Sequence, residues 1–193
     1  GVFKNGKLEI YQYWKLEDKP IKVSYNESKK EIKKLFEESV KKRMVSDVEV
    51  GALLSGGVDS TLVTAYAQKF TDHPIKTFSL GYGNYINELP FAEEASRKIG
   101  TDHYTLEANK NLLGALKESI AYFDEPHADS SDFPQSILSK FAKGKVKVAL
   151  SGDGADELFM GYGWYQKHKN LSLRKHPFEK IFLSPFQGYI KNI

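Results

Sequence analysis

Short apolar runs along this chain alternate with stretches in which apolar positions return every third or fourth residue. Val50-Gly51-Ala52-Leu53-Leu54 reads as the buried centre of a strand over 48–54. Leu62, Val63, Tyr66 and Phe70 then repeat at helical spacing, which predicts a helix directly after it. A second strand is expected from Ile75 to Leu80, followed by a helix near Glu88–Ile99 with Leu89, Ala92, Ala95 and Ile99 inward and Gly100 as its C-cap. The pattern continues with a strand over 103–107, a helix over roughly 109–122, a helix over 134–143 and a strand-like run Val146–Leu150. Pro134 suits the first turn of its helix, with Asp132 or Ser131 as the cap.

Two elements precede this alternation. Gly1 to Trp14 reads as a hairpin turning at Asn5-Gly6. A helix of about Ser28–Met44 is expected to open on a capping box from Ser28 to Glu31. Ile32, Leu35, Phe36, Val40 and Met44 form its inward stripe. Strands alternating with helices imply a parallel sheet with right-handed crossovers. In such sheets ligands gather at the carboxyl ends of the strands. The fold class expected is therefore α/β, a Rossmann-like parallel sheet flanked by helices. No repeat or low-complexity segment interrupts it.

The loops at those carboxyl ends carry the chemistry. Ser55-Gly56-Gly57-Val58-Asp59-Ser60 joins the first strand to its helix. Paired glycines let the backbone bend tightly and approach a ligand, and the helix start behind them presents N–H groups that suit an anion. The Walker A pattern is absent, since it requires a lysine near its end. Asp59 stands in the loop instead, and a carboxylate among phosphates makes sense if a metal ion lies between them. Taken alone, Ser-Gly-Gly is equally an ordinary capped turn. A second strand-to-helix turn is Ser151-Gly152-Asp153-Gly154-Ala155-Asp156-Glu157-Leu158-Phe159, followed by Gly161-Tyr162. Its clustered acids, beside two glycines, read as a metal and acid/base set.

The first hexapeptide resembles the pyrophosphate loop of the PP-loop ATP pyrophosphatases, whose fold is the adenine nucleotide alpha-hydrolase-like type. The second string resembles the signature of the asparagine synthetase synthase domain. Asp124-Glu125-Pro126-His127-Ala128-Asp129-Ser130-Ser131 is similar to a segment that lies near the acyl pocket of that family. The resemblance implies ATP-dependent amidation of aspartate through a β-aspartyl-AMP intermediate, with ATP and Mg2+ as cofactors. It implies that Leu53, Ser55, Gly56, Gly57, Asp59, Ser60, Leu80, Ser151 and Gly152 bind ATP and its pyrophosphate. Asp59 and Asp156 would hold the metal, and Asp153 and Asp59 would be catalytic. Asp129, Ser130, Ser131 and Glu157 are the candidates for the acyl substrate. Asp153 is a departure, because the family commonly places glutamate there. That leaves room for a paralogue adenylating another carboxylate, and a tRNA-modifying PP-loop enzyme is a further alternative.

Composition adds bounds. A chain of 193 residues fits one domain of ordinary size. Its net charge of +3 is small, and Lys29, Lys30, Lys33, Lys34, Lys41, Lys42 and Arg43 read as the solvated face of a helix rather than a nucleic-acid surface. No apolar run reaches transmembrane length and no signal peptide is apparent, so the cytoplasm is the expected compartment, with no membrane partner. The chain has no cysteine, which excludes disulfides and thiolate metal sites. None of His73, His103, His127, His168 and His176 has an identifiable partner at metal-ligand spacing.

The resemblance also implies an amino-terminal glutaminase domain with a cysteine nucleophile, supplying ammonia from glutamine. Residues 1–20 are read as the tail of that domain plus a linker, and 21–193 as the synthase domain, truncated at its C-terminal end. The family's phosphate-contacting lysine has no match here, Lys167, Lys169 and Lys175 reading as surface residues. The catalytic set is then expected to be incomplete. A homodimer stays open.

Overall fold

The computed structural model describes residues 1–15, 19–81, 87–108, 117, 120–122, 129, 131–165 and 167. The helix expected over 109–122 falls largely outside them, as do His127, Ser130, and Lys169 and Lys175. Contacts divide the chain into two units, Gly1–Glu38 and Ser39–Ile193.

In the first unit, β1 (Val2–Lys4) and β2 (Lys7–Glu9) form the expected hairpin, with Phe3 opposite Leu8. Asn5 and Gly6 both take positive φ, 52° and 74°, which a two-residue turn of this twist demands. Helix α1 spans Tyr25–Arg43, three residues earlier than its expected start. The capping box exists, but at Ser24 and Glu27. The Ser24 amide donates to Glu27 Oε2 at 2.9 Å, and the Glu27 amide donates back to Ser24 Oγ at 3.3 Å. Both boxes read alike in sequence, and the earlier one closes an extra turn. The apolar stripe is only partly covered: Val40 is buried, whereas Ile32 and Leu35 are 44% and 54% exposed.

The second unit holds β3 (Val50–Leu53), α2 (Val58–Gln68), β4 (Lys76–Gly81), α3 (Leu89–Ile99), β5 (Asp102–Glu107), α4 (Asp132–Lys143), β6 (Val148–Leu150) and the short α5 (Ala155–Phe159). Its four strands are all parallel, in the order β5-β4-β3-β6. Sequential strands step away from β3 on one side, and β6 returns to its other side. The order therefore reverses between β3 and β6, which creates a crevice at their carboxyl ends.

The faces of β4 differ in chemistry. On one, Phe78 is fully buried, stacked on Tyr104 with centroids 5.7 Å apart and edge-on to Phe141 at 5.9 Å. Ala142 and Val146 complete that cluster. The other face is rich in hydroxyls. Thr77 and Ser79, both buried, flank the ring of His103, which the β4–β5 register sets opposite Thr77. Ser79 Oγ donates to the Leu54 carbonyl oxygen. Its oxygen can then accept at 3.4 Å from His103 Nε2 in the tautomer that carries the proton on that nitrogen. His103 Nδ1 is left to accept from Thr77 Oγ1 at 2.8 Å. Thr77 in turn accepts from Thr101 Oγ1 at 2.9 Å, and Thr101 from Ser96 Oγ of α3 at 2.7 Å. These directions are the set that the Nε2-protonated tautomer requires.

Helix α2 also departs from expectation. Its buried residues are Ser60, Thr64 and Ala67, while Leu62 is 44% exposed. Small side chains let the helix lie close to the sheet, and Thr64 Oγ1 is satisfied by the Ser60 carbonyl at 2.8 Å. Helix α3 buries Leu89 and Ala92 as expected, with Ser96 in addition. Gly100 caps it at φ 85°, its N–H donating to the Ser96 carbonyl at 2.8 Å.

Two outcomes follow. Phe78→Ala should cost about 3–5 kcal/mol in equilibrium denaturation, since it empties the ring cluster; a loss under about 1 kcal/mol would show the cluster to be dispensable. Burial lowers the His103 pKa from its ordinary 6.5, against a raising influence from the Glu93 carboxylate. The folded state thus favours neutral imidazole, so the stability it contributes is present above that ordinary value and lost as pH falls below it. Between about pH 7.5 and 5.5 the wild type should lose more stability than His103→Gln. Equal losses in urea midpoint would contradict the assignment.

Candidate functional site

The strand-to-helix turn after β3 is organised by its own serines. Ser55 Oγ and Ser60 Oγ lie 2.9 Å apart, the Ser55 amide donates to Ser60 Oγ at 3.2 Å, and the Gly57 amide donates to Ser55 Oγ at 3.2 Å. Gly57 is the N-cap of α2 and supplies no side-chain cap, so the first turn's N–H groups face the loop without a capping oxygen. Gly56 has φ 80°, and a Cβ on it would lie 2.5 Å from the Ala92 nitrogen and the Phe91 carbonyl carbon. Only glycine lets this turn sit against the start of α3.

The turn after β6 is folded against the first. A Cβ on Gly152 would lie 2.8 Å from the Ser60 nitrogen and 3.1 Å from Asp59 Cβ. The second turn therefore abuts the amino-terminal turn of α2. Beyond it, Ser151 Oγ donates to Asp153 Oδ2 at 2.8 Å. Gly154, at φ 90°, caps the short α5 and brings Asp156 and Glu157 into its first turn. Gly161 lies flush against the Asp156 carboxylate, leaving no room for a side chain.

Between the turns opens a cavity of about 520 Å³. Leu53, Ser55, Gly57, Asp59, Ser60 and Leu80 line one part of it. Ser151, Gly152, Asp153, Asp156, Glu157, Asp129 and Ser131 line the rest. Nearly every residue singled out in the sequence is thus brought to one cavity. Gly56 does not line it, because it turns towards α3. Asp129 is held as a turn residue, its Oδ1 accepting from the Ser131 amide at 2.8 Å and from Ser131 Oγ at 2.6 Å.

The cavity also receives Ser79, Glu88, Gln135, Leu138 and Tyr162, which the sequence reading did not assign. In the sequence Tyr162 stands only at the end of the second string. Its hydroxyl donates to Glu157 Oε1 at 2.6 Å. This bond raises the Tyr162 pKa to about 12 and holds Glu157 below the usual carboxylate value. At neutral pH the pair is a carboxylate and a phenol, so Tyr162 is a donor and not a base. For Ser79 the available signal was the alternation of Thr77, Phe78 and Ser79, which places it on the face opposite the aromatic cluster.

Among the described residues, no three His, Asp or Glu side chains are close enough to form a preassembled metal cage. Asp59 and Asp156 line the same cavity on opposite turns. That donor set fits magnesium, which is commonly held by one or two carboxylates together with substrate phosphate oxygens. Among the described residues no helix is long and apolar enough to cross a membrane.

A parallel α/β domain with two glycine turns meeting at the reversal of strand order has the PP-loop type of fold. The family model for asparagine synthase matches residues 31–189, and the chain belongs to that family. Asparagine synthetase [glutamine-hydrolyzing] 1 of Bacillus subtilis (strain 168) is 37% identical over 180 residues, covering 92% of this chain and 28% of that protein. A putative asparagine synthetase [glutamine-hydrolyzing] 2 of Methanocaldococcus jannaschii is 40% identical over 168 residues, covering 83% of this chain and 32% of that protein. The chain thus spans about a third or less of the length of these curated relatives. Among solved structures, the NH3-dependent NAD synthetase from Campylobacter jejuni, in complex with nitrate, has a TM-score of 0.50 at 17% identity. The match covers 69% of this chain and 60% of that one, and supports the fold.

The strain at the two positive-φ turn glycines differs. Gly56→Ala forces a left-handed alanine and a backbone clash, whereas Gly154→Ala faces open space. The latter should cost about 1–2 kcal/mol for the conformation alone, and the former clearly more. Urea midpoints check the order, and equal losses would show that α3 yields to the turn.

Proposed function

We propose that this chain is the adenylating part of an asparagine synthetase, converting aspartate to asparagine at the expense of ATP. The observation that carries the reading is the abutment of Gly152 on the Ser60 and Asp59 backbone, which brings both signature turns to one cavity. Family membership and the names of the relatives support it.

A free carboxylate does not react with ammonia, because its carbonyl carbon is not electrophilic and oxide is a prohibitive leaving group. Attack of the aspartate β-carboxylate oxygen on the α-phosphorus of ATP forms the β-aspartyl-AMP bond and releases pyrophosphate. Ammonia then attacks the acyl carbon, AMP departs, and the nitrogen sheds its proton. Protein catalysis of the first step is mainly alignment and charge neutralisation. Ser55, Gly57 and Ser60 hold the pyrophosphate through amides and hydroxyls around the start of α2. Leu53 and Leu80 flank the adenine, and Ser151 and Gly152 contact the nucleotide. Asp59 and Asp156 would hold magnesium, which would supply charge neutralisation at the phosphates.

Asp153 receives the proton in the second step. It is oriented by Ser151, whose hydroxyl donates to it. Asp129, Ser131 and Glu157 form the acyl pocket with Tyr162, and Ser130 belongs to the same segment. Ammonia comes from glutamine through an amino-terminal glutaminase domain, of which residues 1–20 are the end. Residues 21–193 are the ATP-binding part, working in the cytoplasm with small molecules and without nucleic acid. A second reading, the same adenylation applied to another carboxylate, is favoured only by aspartate standing at position 153.

In the full-length polypeptide, Asp59→Asn should lower aspartate-dependent ATP–pyrophosphate exchange by about 100-fold or more. Unchanged exchange would remove Asp59 from the site. Wild-type exchange that ignores aspartate but responds to another carboxylic acid would move the assignment to the second reading.

A further inference from the structure

The geometry points to His103 as a positioning residue for the loop after β3, acting through the hydroxyl of Ser79 on the carbonyl of Leu54. The inference rests on the reading of that loop as the holder of ATP's phosphates, but its physical core is independent of any ligand.

Leu54 is the last residue before the turn. Its amide donates to the Phe78 carbonyl at 2.9 Å, and its carbonyl accepts from Ser79 Oγ, so neighbouring residues of β4 hold the two peptide units that flank Leu54. Ser79 is buried and also lines the cavity. A serine hydroxyl rotates freely unless something fixes its hydrogen. Here His103 Nε2 does so from the neighbouring strand, donating to the hydroxyl oxygen and turning its hydrogen towards Leu54. The imidazole is itself oriented by Thr77, and Thr77 by Thr101 and Ser96. The route thus runs from α3, across β5 and β4, to the residue where the chain leaves β3. The face beneath it needs hydroxyls for this purpose. An alkyl set would fill the same volume but would leave the Leu54 carbonyl without its side-chain donor.

A side chain that merely filled space would affect stability and leave the loop alone. Three variants of the full-length polypeptide separate the two roles: Ser79→Ala, His103→Leu, and His103→Gln, whose amide can still donate towards Ser79. Amide hydrogen exchange of residues 54–60, measured without nucleotide, should rise about fivefold in the first two, the size of one neutral hydrogen bond. It should return most of the way to wild type in His103→Gln. In pyrophosphate exchange the same two variants should raise the KM for ATP more than they lower kcat. The double variant should be little worse than Ser79→Ala, because His103 acts through that hydroxyl. Unchanged loop exchange in Ser79→Ala, or additive effects in the double variant, would overturn the inference. Faster loop exchange in an enzyme whose wild type makes no use of ATP would leave it standing and refute the functional reading instead. If His103→Leu fails to fold, Thr77→Val and His103→Gln carry the comparison.

Discussion

The amino-terminal turn of α2 is built so closely against Gly152 that a single methyl group would not fit between them. Most of what is distinctive in the second unit depends on that closeness. The strand order places β3 beside β6, and the reversal there opens the crevice. The crevice becomes a shaped cavity because both strands end in glycine turns and neither turn spends a side chain where the other must lie. Small buried residues on α2 serve the same end, since Thr64 and Ala67 bring the helix down onto the sheet. A bulkier helix would lift its own first turn away from Gly152.

Much of this was legible in the residues. Short apolar runs before Ser55 and Ser151, and glycine pairs after them, sufficed for two strand–turn–helix units and for their convergence. The candidate residues gathered as expected because parallel topology brings all strand ends to one edge, whatever chemistry follows. Less legible were features in which several readings share one pattern. Ser24–Glu27 and Ser28–Glu31 both spell a capping box, and only the conformation of the preceding chain decides between them. Leu62 looks like a core residue by spacing, yet α2, which packs on β3, turns Ser60, Thr64 and Ala67 inward.

The histidine network lay further from view. His103 is 24 positions from Ser79 and 26 from Thr77, and only the register between strands unites them. A pattern of single residues contains no such information. Tyr162 was similarly obscure. Its partner Glu157 is five positions away across the end of a one-turn helix, and no helical spacing predicts that bond. These are the places where local propensity ends and three-dimensional arrangement decides.

Parallel strands covered on both sides ordinarily read as unbroken apolar runs. Strand β4 does not, since aromatic and hydroxyl positions alternate along Thr77, Phe78 and Ser79. The alternation acts as a key. Sliding the strand by one position would bring Phe78 into a layer of oriented hydroxyls and drive two polar side chains among packed rings. Misaligned pairings are therefore penalised twice, once by stranded polar groups and once by a hole in the oil. A sheet of uniform valine and isoleucine would lack that proofreading during folding.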